Sequence, residues 1–198
     1  GDPLTAGWLV TSHVLIAAAT APVAGRYGDI RGRKLLIQVL LGVALLGSLI
    51  SALSSNFYLV LAGRALQGLS AAVLPLSIGV LRESLDERRV PMAIGIMTTA
   101  QGFGAALGLV LGGAIVDALN WHWLFVASAG LLALSMAAVA VFVPSRPGTP
   151  TRNPIDWVEG LLPVPGIAAL LFAISLSKDF GWLSSPVLGL FALGAVLM

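Results

Sequence analysis

GRYGDIRGRK, residues 25–34, sets four cations (Arg26, Arg31, Arg33, Lys34), one acid (Asp29) and three glycines between two long runs with almost no charge. A chain that is apolar on both sides of a basic turn reads as two helices crossing a bilayer, with the turn between them in the cytoplasm. Working outward, apolar runs fall at 4–24, 35–53, 57–81, 91–118, 123–143 and 157–177. Each is long enough, at about 1.5 Å per residue, to cross about 30 Å of hydrocarbon. A last run, 184–198, is too short to span, so the chain is expected to stop inside a helix. Between the runs lie the polar patch Ser54-Ser55-Asn56, the charged loop 82–89, and PSRPGTPTRNP (144–154), whose prolines cannot continue a helix. The fold class is all-α, a polytopic transmembrane helix bundle.

Composition agrees. The 198 residues are 58% hydrophobic and only 10% charged, with a mean hydropathy of +0.97, against about 25% charged in a soluble domain. A net charge of +2 with a pI near 9.5 does not signal nucleic-acid binding, because the cations sit at loop ends where they orient helices. There is no cysteine, which excludes disulfides and thiolate metal sites. No charged start and cleavage site mark a signal peptide, so the run 4–24 reads as a mature span.

Nine of the eleven Lys and Arg lie in three connections: Arg26, Arg31, Arg33 and Lys34; Arg82, Arg88 and Arg89; Arg146 and Arg152. The opposite connections hold Lys178, and Arg64 lies within a span. The basic loops are therefore expected in the cytoplasm of a multi-pass cell-membrane protein, with residue 1 outside and Trp8, Trp121 and Trp123 at the outer interface. An outside start without a signal implies a preceding helix, so the chain reads as part of a larger protein.

Three patterns follow one another on successive elements: Gly25-x-Tyr27-Gly28-Asp29-x-x-Gly32-Arg33-Lys34; Arg64-x-x-Gln67-Gly68-x-x-Ala71-Ala72; and Gly104-x-x-x-Gly108-x-x-x-Gly112-Gly113. In that order they resemble the loop 2–3 signature, the fourth-helix signature and the fifth-helix antiporter signature of the major facilitator superfamily. GWLVTS (7–12), WHWLF (121–125), IDWVEG (155–160) and the short connector point to its fourteen-helix drug/proton antiporter branch. The resemblance implies helices two to eight of that fold. Residues 1–143 form an N-terminal bundle lacking its first helix, 144–156 a cytoplasmic connector, and 157–198 an additional helix pair with the second member truncated.

Gly25 and Gly28, one turn apart, permit a close helix approach, and Gly32 supplies the backbone freedom of a tight turn. Asp29 and Arg33 are spaced to pair, and Glu83 or Asp86 is placed to complete an acid–base–acid cluster. The resemblance implies that this cluster, with Lys34, latches the two halves of the transporter in the outward-open state, Asp29 facing a helix N-terminus of the other half. Plain positive-inside anchoring is the alternative; it accounts for the cations but not for Asp29 or the glycine spacing.

Arg64 lies about 10 Å into its span, where an arginine costs about 2.5–3.5 kcal/mol on insertion scales. With Gln67 and Gly68 it forms a polar, close-packing stripe, and the resemblance assigns it to tuning a proton-carrying acid on the preceding helix. Snorkelling to the headgroups is the alternative. Gly104, Gly108, Gly112 and Gly113 make one helix face nearly bare backbone; the resemblance packs it on the other half, although Leu109 stands where the signature has proline, and a general packing face is equally open. His13, Thr98 and Gln101 are candidate cavity residues; the alternative for His13 is a histidine that is simply hydrogen-bonded, and for Thr98 and Gln101 helix-face packing. His122 stands where the branch's WRW pattern has arginine.

No carboxylate lies deep in any span, so a proton-carrying acid belongs to parts outside these residues. There is no phosphate-binding G-x-x-x-x-G-K-[ST] loop, no metal-ligand cluster, no cofactor signal and no oriented Ser/His pair. The expected activity is proton-coupled multidrug efflux of lipophilic, cationic compounds by alternating access, from a monomer whose partners are the lipid bilayer, its substrates and protons. A carrier of a defined small metabolite is the alternative; a membrane-embedded enzyme or scaffold is disfavoured for want of a catalytic constellation.

Overall fold

The computed structural model describes residues 27–146 and 163–197, together with His13, Ile16, Ala17, Thr20, Ala24 and Gly25. Most of the expected span 4–24 with Trp8 and GWLVTS, Arg26, the connector from Pro147 with Arg152, and IDWVEG lie outside the described residues. The elements are α1 (Arg33–Leu53), α2 (Phe57–Gly68), a 3-10 turn (Leu69–Ala72), α3 (Val73–Ser84), α4 (Val90–Ala118), α5 (His122–Phe142), α6 (Pro163–Phe180) and α7 (Ser185–Leu197). Residues 27–31 are also helical, and there is no strand among the described residues. Helices alone suit lipid, because every backbone donor and acceptor must be satisfied within its own segment.

Among the described residues, four stretches are long and apolar enough to cross a membrane: Arg33–Leu53, Phe57–Ser84, Val90–Ala118 and His122–Phe142. The second of these is two α-helices joined by the 3-10 turn at Leu69–Ala72. Proline chemistry explains the join. Pro75 has no N–H and its ring crowds the carbonyl one turn back, so it is tolerated only in the first turn of a helix; the 3-10 turn makes it the third residue of α3. Ser70 strengthens the join, its hydroxyl donating to the Gln67 carbonyl at 2.7 Å.

At the basic end the helix through residues 27–31 stops at Gly32, whose φ of 97° is the left-handed region that favours glycine. Arg33 then opens α1. At the opposite end Asn56 caps α2, its side-chain oxygen accepting from the Tyr58 N–H at 2.9 Å.

α1 is the central helix. Its buried residues Ile37, Leu41, Ala44, Ser48 and Ser51 recur every three or four positions, a single stripe facing α2 and α3. Its other side packs on α5, where Gln38 Nε2 donates to the Met136 carbonyl at 2.9 Å and Lys34 Nζ to the Ala140 carbonyl at 2.9 Å. The α1–α2 crossing is set by a pair of glycines. A methyl group on Gly47 would lie 2.5 Å from the Gly63 carbonyl oxygen, and one on Gly63 would lie 2.5 Å from the Gly47 carbonyl oxygen. Bare backbone therefore meets bare backbone, the geometry by which transmembrane helices associate without a hydrophobic driving force.

α4 differs. It touches α3 and α5, yet none of its residues is buried, and it runs for 29 residues without a break past Leu109. α6 and α7 pack on each other through Gly194, where a methyl group would lie 2.6 Å from Leu170 Cγ. Trp182 and Phe191 stack with ring centroids 6.3 Å apart.

Gly63→Ala is expected to destabilise the bundle by about 1–3 kcal/mol, because the added carbon meets backbone that cannot yield. Gly102→Ala, with nothing within 4 Å of the added carbon, is expected to be neutral or slightly stabilising through helix propensity. Thermal melting of the two variants in detergent checks the pair; equal melting temperatures would contradict the crossing.

Candidate functional site

Two polar constructions interrupt the apolar bundle. The first is at the basic end. Asp29, in the last turn before Gly32, and Arg33, at the start of α1, are one helical turn apart, and Arg33 Nε and Nη2 both donate to Asp29 Oδ1, at 2.9 and 2.7 Å. Arg33 Nη1 reaches Glu83 Oε1 at 3.3 Å, at the end of α3. One guanidinium thus joins three segments, and of the two acids open to this role, Glu83 fills it. Gly28 permits the approach: a methyl group there would sit 2.5 Å from Leu76 Cδ2 of α3. Gly25 has open space around it. Lys34 turns away from the cluster to the C-terminal turn of α5, where carbonyls lack helical partners and the helix dipole favours a cation. Arg146 donates through Nη1 to the Glu83 backbone carbonyl, tying the start of the connector to the same corner. Arg31 lies over the Tyr27 ring, 5.8 Å from its centroid.

The second construction lies within the spans. Arg64 Nη1 donates to Gln67 Oε1 at 3.0 Å, and Gln67 Nε2 donates to Ser48 Oγ of α1 at 2.6 Å. Gln67 and Ser48 are buried, Ser48 completely. Ser51, also buried, donates to the Val60 carbonyl at 3.5 Å. The spacing of Arg64 and Gln67 places both on one turn; the fold adds Ser48, so that a cation in α2 is linked through an amide to α1. His13 belongs here rather than with Thr98 and Gln101. Its Nδ1 lies 3.4 Å from the Arg64 carbonyl, and a methyl group on Gly68 would lie 2.7 Å from the His13 carbonyl oxygen. Gly68 therefore lets the backbone at His13 and the side chain of Ile16 lie directly on α2.

The remaining candidates sit apart. Thr98 spends its hydroxyl on its own helix, donating to the Ile94 carbonyl at 2.8 Å, and Gln101 is exposed on α4. Gly104, Gly108 and Gly113 have nothing within 4 Å of an added methyl group, and Gly112 has only Leu124 at 3.6 Å, so among the described residues this stripe faces open space. His122 meets Ser55 across the other end of the bundle, Nε2 to Oγ at 3.3 Å. An apolar cleft of about 390 Å³ opens between α1, α3, α4 and α5, lined by Ile37, Ser77, Val80, Met97 and Val139 among others. Its walls come from four separate helices, so no local pattern in the sequence marks it. Among the described residues no group of His, Cys, Asp or Glu is placed to hold a metal ion.

Gln67→Leu is expected to cost about 1–2 kcal/mol of helix association, since it strips partners from both Arg64 and Ser48 inside lipid. Arg33→Ala is expected to cost under about 1 kcal/mol, because Asp29 and Glu83 are 49% and 43% exposed. Denaturant titration of the two variants measures the order; a larger loss for Arg33→Ala would contradict it.

Comparison with known proteins gives the family. The model of the Major Facilitator Superfamily matches residues 1–198. Among similar curated proteins, an uncharacterised MFS-type transporter of Bacillus subtilis, YvkA, is 31% identical over 91% of this chain and 41% of its own length. The multidrug transporter protein MdtP of Bacillus subtilis is 28% identical over 96% of this chain and 35% of its own. A protein of Mycobacterium bovis named as a probable triacylglyceride transporter is 33% identical over 78% of this chain and 31% of its own. The chain thus spans between about a third and two-fifths of these relatives. A family match along its whole length, on a bundle of apolar helices long enough to cross a membrane, makes this chain a member of the major facilitator superfamily.

Proposed function

We propose that the chain is the N-terminal part of a proton-driven exporter of lipophilic compounds, cationic drugs and dyes among them, working by alternating access in the cell membrane with its basic loops in the cytoplasm. The observation that carries this reading is the link from Arg64 through Gln67 to Ser48. An arginine that only snorkelled would need no buried amide and no second helix. Arg64 is held instead where a cation favours the charged form of any carboxylate beside it, and the acids of the four described spans are confined to their ends, at Glu83 and Asp117. The acid that carries the proton therefore belongs to another part of the full-length protein. The cluster of Asp29, Arg33 and Glu83 serves as the latch at the basic end, and the apolar cleft with the drug- and lipid-named relatives supports lipophilic cargo.

The triacylglyceride-named relative favours a second reading, a carrier dedicated to one lipid-like metabolite. In everted vesicles carrying the full-length protein, the first reading expects a cationic dye to move on imposing a pH gradient and to stop on adding a protonophore. Arg64→Ala is expected to abolish coupled movement, and Arg64→Lys to retain part of it. Dye efflux that persists with the protonophore would rule out proton coupling; no dye movement alongside movement of a labelled glyceride would establish the second reading.

A further inference from the structure

Gly79 was not singled out by any motif, yet it lies one turn before Glu83 on α3, directly beneath the Arg33 guanidinium. A methyl group at Gly79 would overlap Nη1 and Cζ of Arg33 and lie 2.7 Å from Nε, well inside the contact distance of about 3.5 Å. Gly79 is buried, so the guanidinium rests on bare helix backbone. A methyl group would push the whole rigid guanidinium away from α3. Glu83, reached by Nη1, is fixed on α3 and loses its partner, whereas Asp29, held by Nε and Nη2 from one turn before Arg33, lies off α3 and can still be met.

We infer that Gly79 is the positioning residue that decides whether Arg33 bridges α3 to the preceding helix or pairs with Asp29 alone. With glycine, the guanidinium lies low enough on α3 for Nη1 to meet Glu83. With any larger residue it is lifted off, and only the pair one turn apart on its own segment survives. A glycine in a helix interior is disfavoured relative to alanine, and the Arg33 seat accounts for its presence in α3. The bearing of this seat on transport rests on the latch reading above; the seat itself does not.

The 198 residues contain no cysteine, so reporters can be placed singly in the full-length protein after replacing any cysteine elsewhere. Spin labels at Arg31→Cys and Asp86→Cys report the separation of the two segments that Arg33 bridges. Gly79→Ala is expected to shift this distribution to longer distances, as are Glu83→Gln and Arg33→Ala. In an Arg33→Ala background Gly79→Ala is expected to add nothing, and Gly95→Ala, with open space around it, to leave the distribution unchanged. Dye efflux by Gly79→Ala is expected to fall about twofold to fivefold, the scale of one partly exposed ion pair. An unshifted distribution for Gly79→Ala, or a further shift in the Arg33→Ala background, would overturn the inference whatever the efflux. A shifted distribution with unchanged efflux would support the seat and count against the latch.

Discussion

The close crossing of α1 and α2 at Gly47 and Gly63 is the contact on which the arrangement depends. In lipid, burying apolar side chains gains little, because the surroundings are equally apolar, and helices associate through packing and interhelical hydrogen bonds. Where two glycines bring the backbones together, the short side chain of Ser48 can meet Gln67 across the interface at 2.6 Å. That bond orients the amide toward Arg64. A bulkier pair at the crossing would separate the helices and leave the Gln67 N–H without its Ser48 partner, in a medium that offers no other.

The same helix organises the basic end by different means. α1 reaches α3 through Arg33 and α5 through Lys34 and Gln38. The contacts of Arg33 are half exposed and individually weak, while those of Gln38 and Lys34 to carbonyls of α5 hold two helices in register. A bundle built this way is firm between α1, α2 and α5 and easily rearranged at the corner where Asp29, Arg33 and Glu83 meet. Weak, charge-based contacts at such a corner are what the proposed latch would need. Cations serving only to orient the chain would not require two acids around one guanidinium.

Much of this was legible from residue order. The apolar runs placed α1, α4 and α5 to within two residues of their ends, since helix length and hydropathy are local properties tied to bilayer thickness. Asp29 and Arg33 were legible as a pair because one helical turn separates them. Glu83 against Asp86 was not, because the helix ends at Ser84 and the extended Leu85 carries Asp86 off its face. Lys34 was grouped with the cluster by the family resemblance, and it donates instead to the Ala140 carbonyl of α5. The 3-10 turn had a local signal in Pro75, three residues beyond its end. Gly47, Gly63 and Gly79 carried none. A glycine announces that a side chain is missing, not what occupies the space.

Residue order alone therefore carries the repeated helical crossings of a membrane, the places where the chain turns and the residues that are costly to bury, since each follows from composition, periodicity and spacing along one chain. The family was legible only as a resemblance, through the motifs at 25–34, 64–72 and 104–113. The tertiary structure alone decided the partners: Ser48 for Gln67, Glu83 and the Gly79 backbone for Arg33, Ala140 for Lys34. Partner choice depends on how helices rotate and approach one another, and that is settled by side chains distant in sequence.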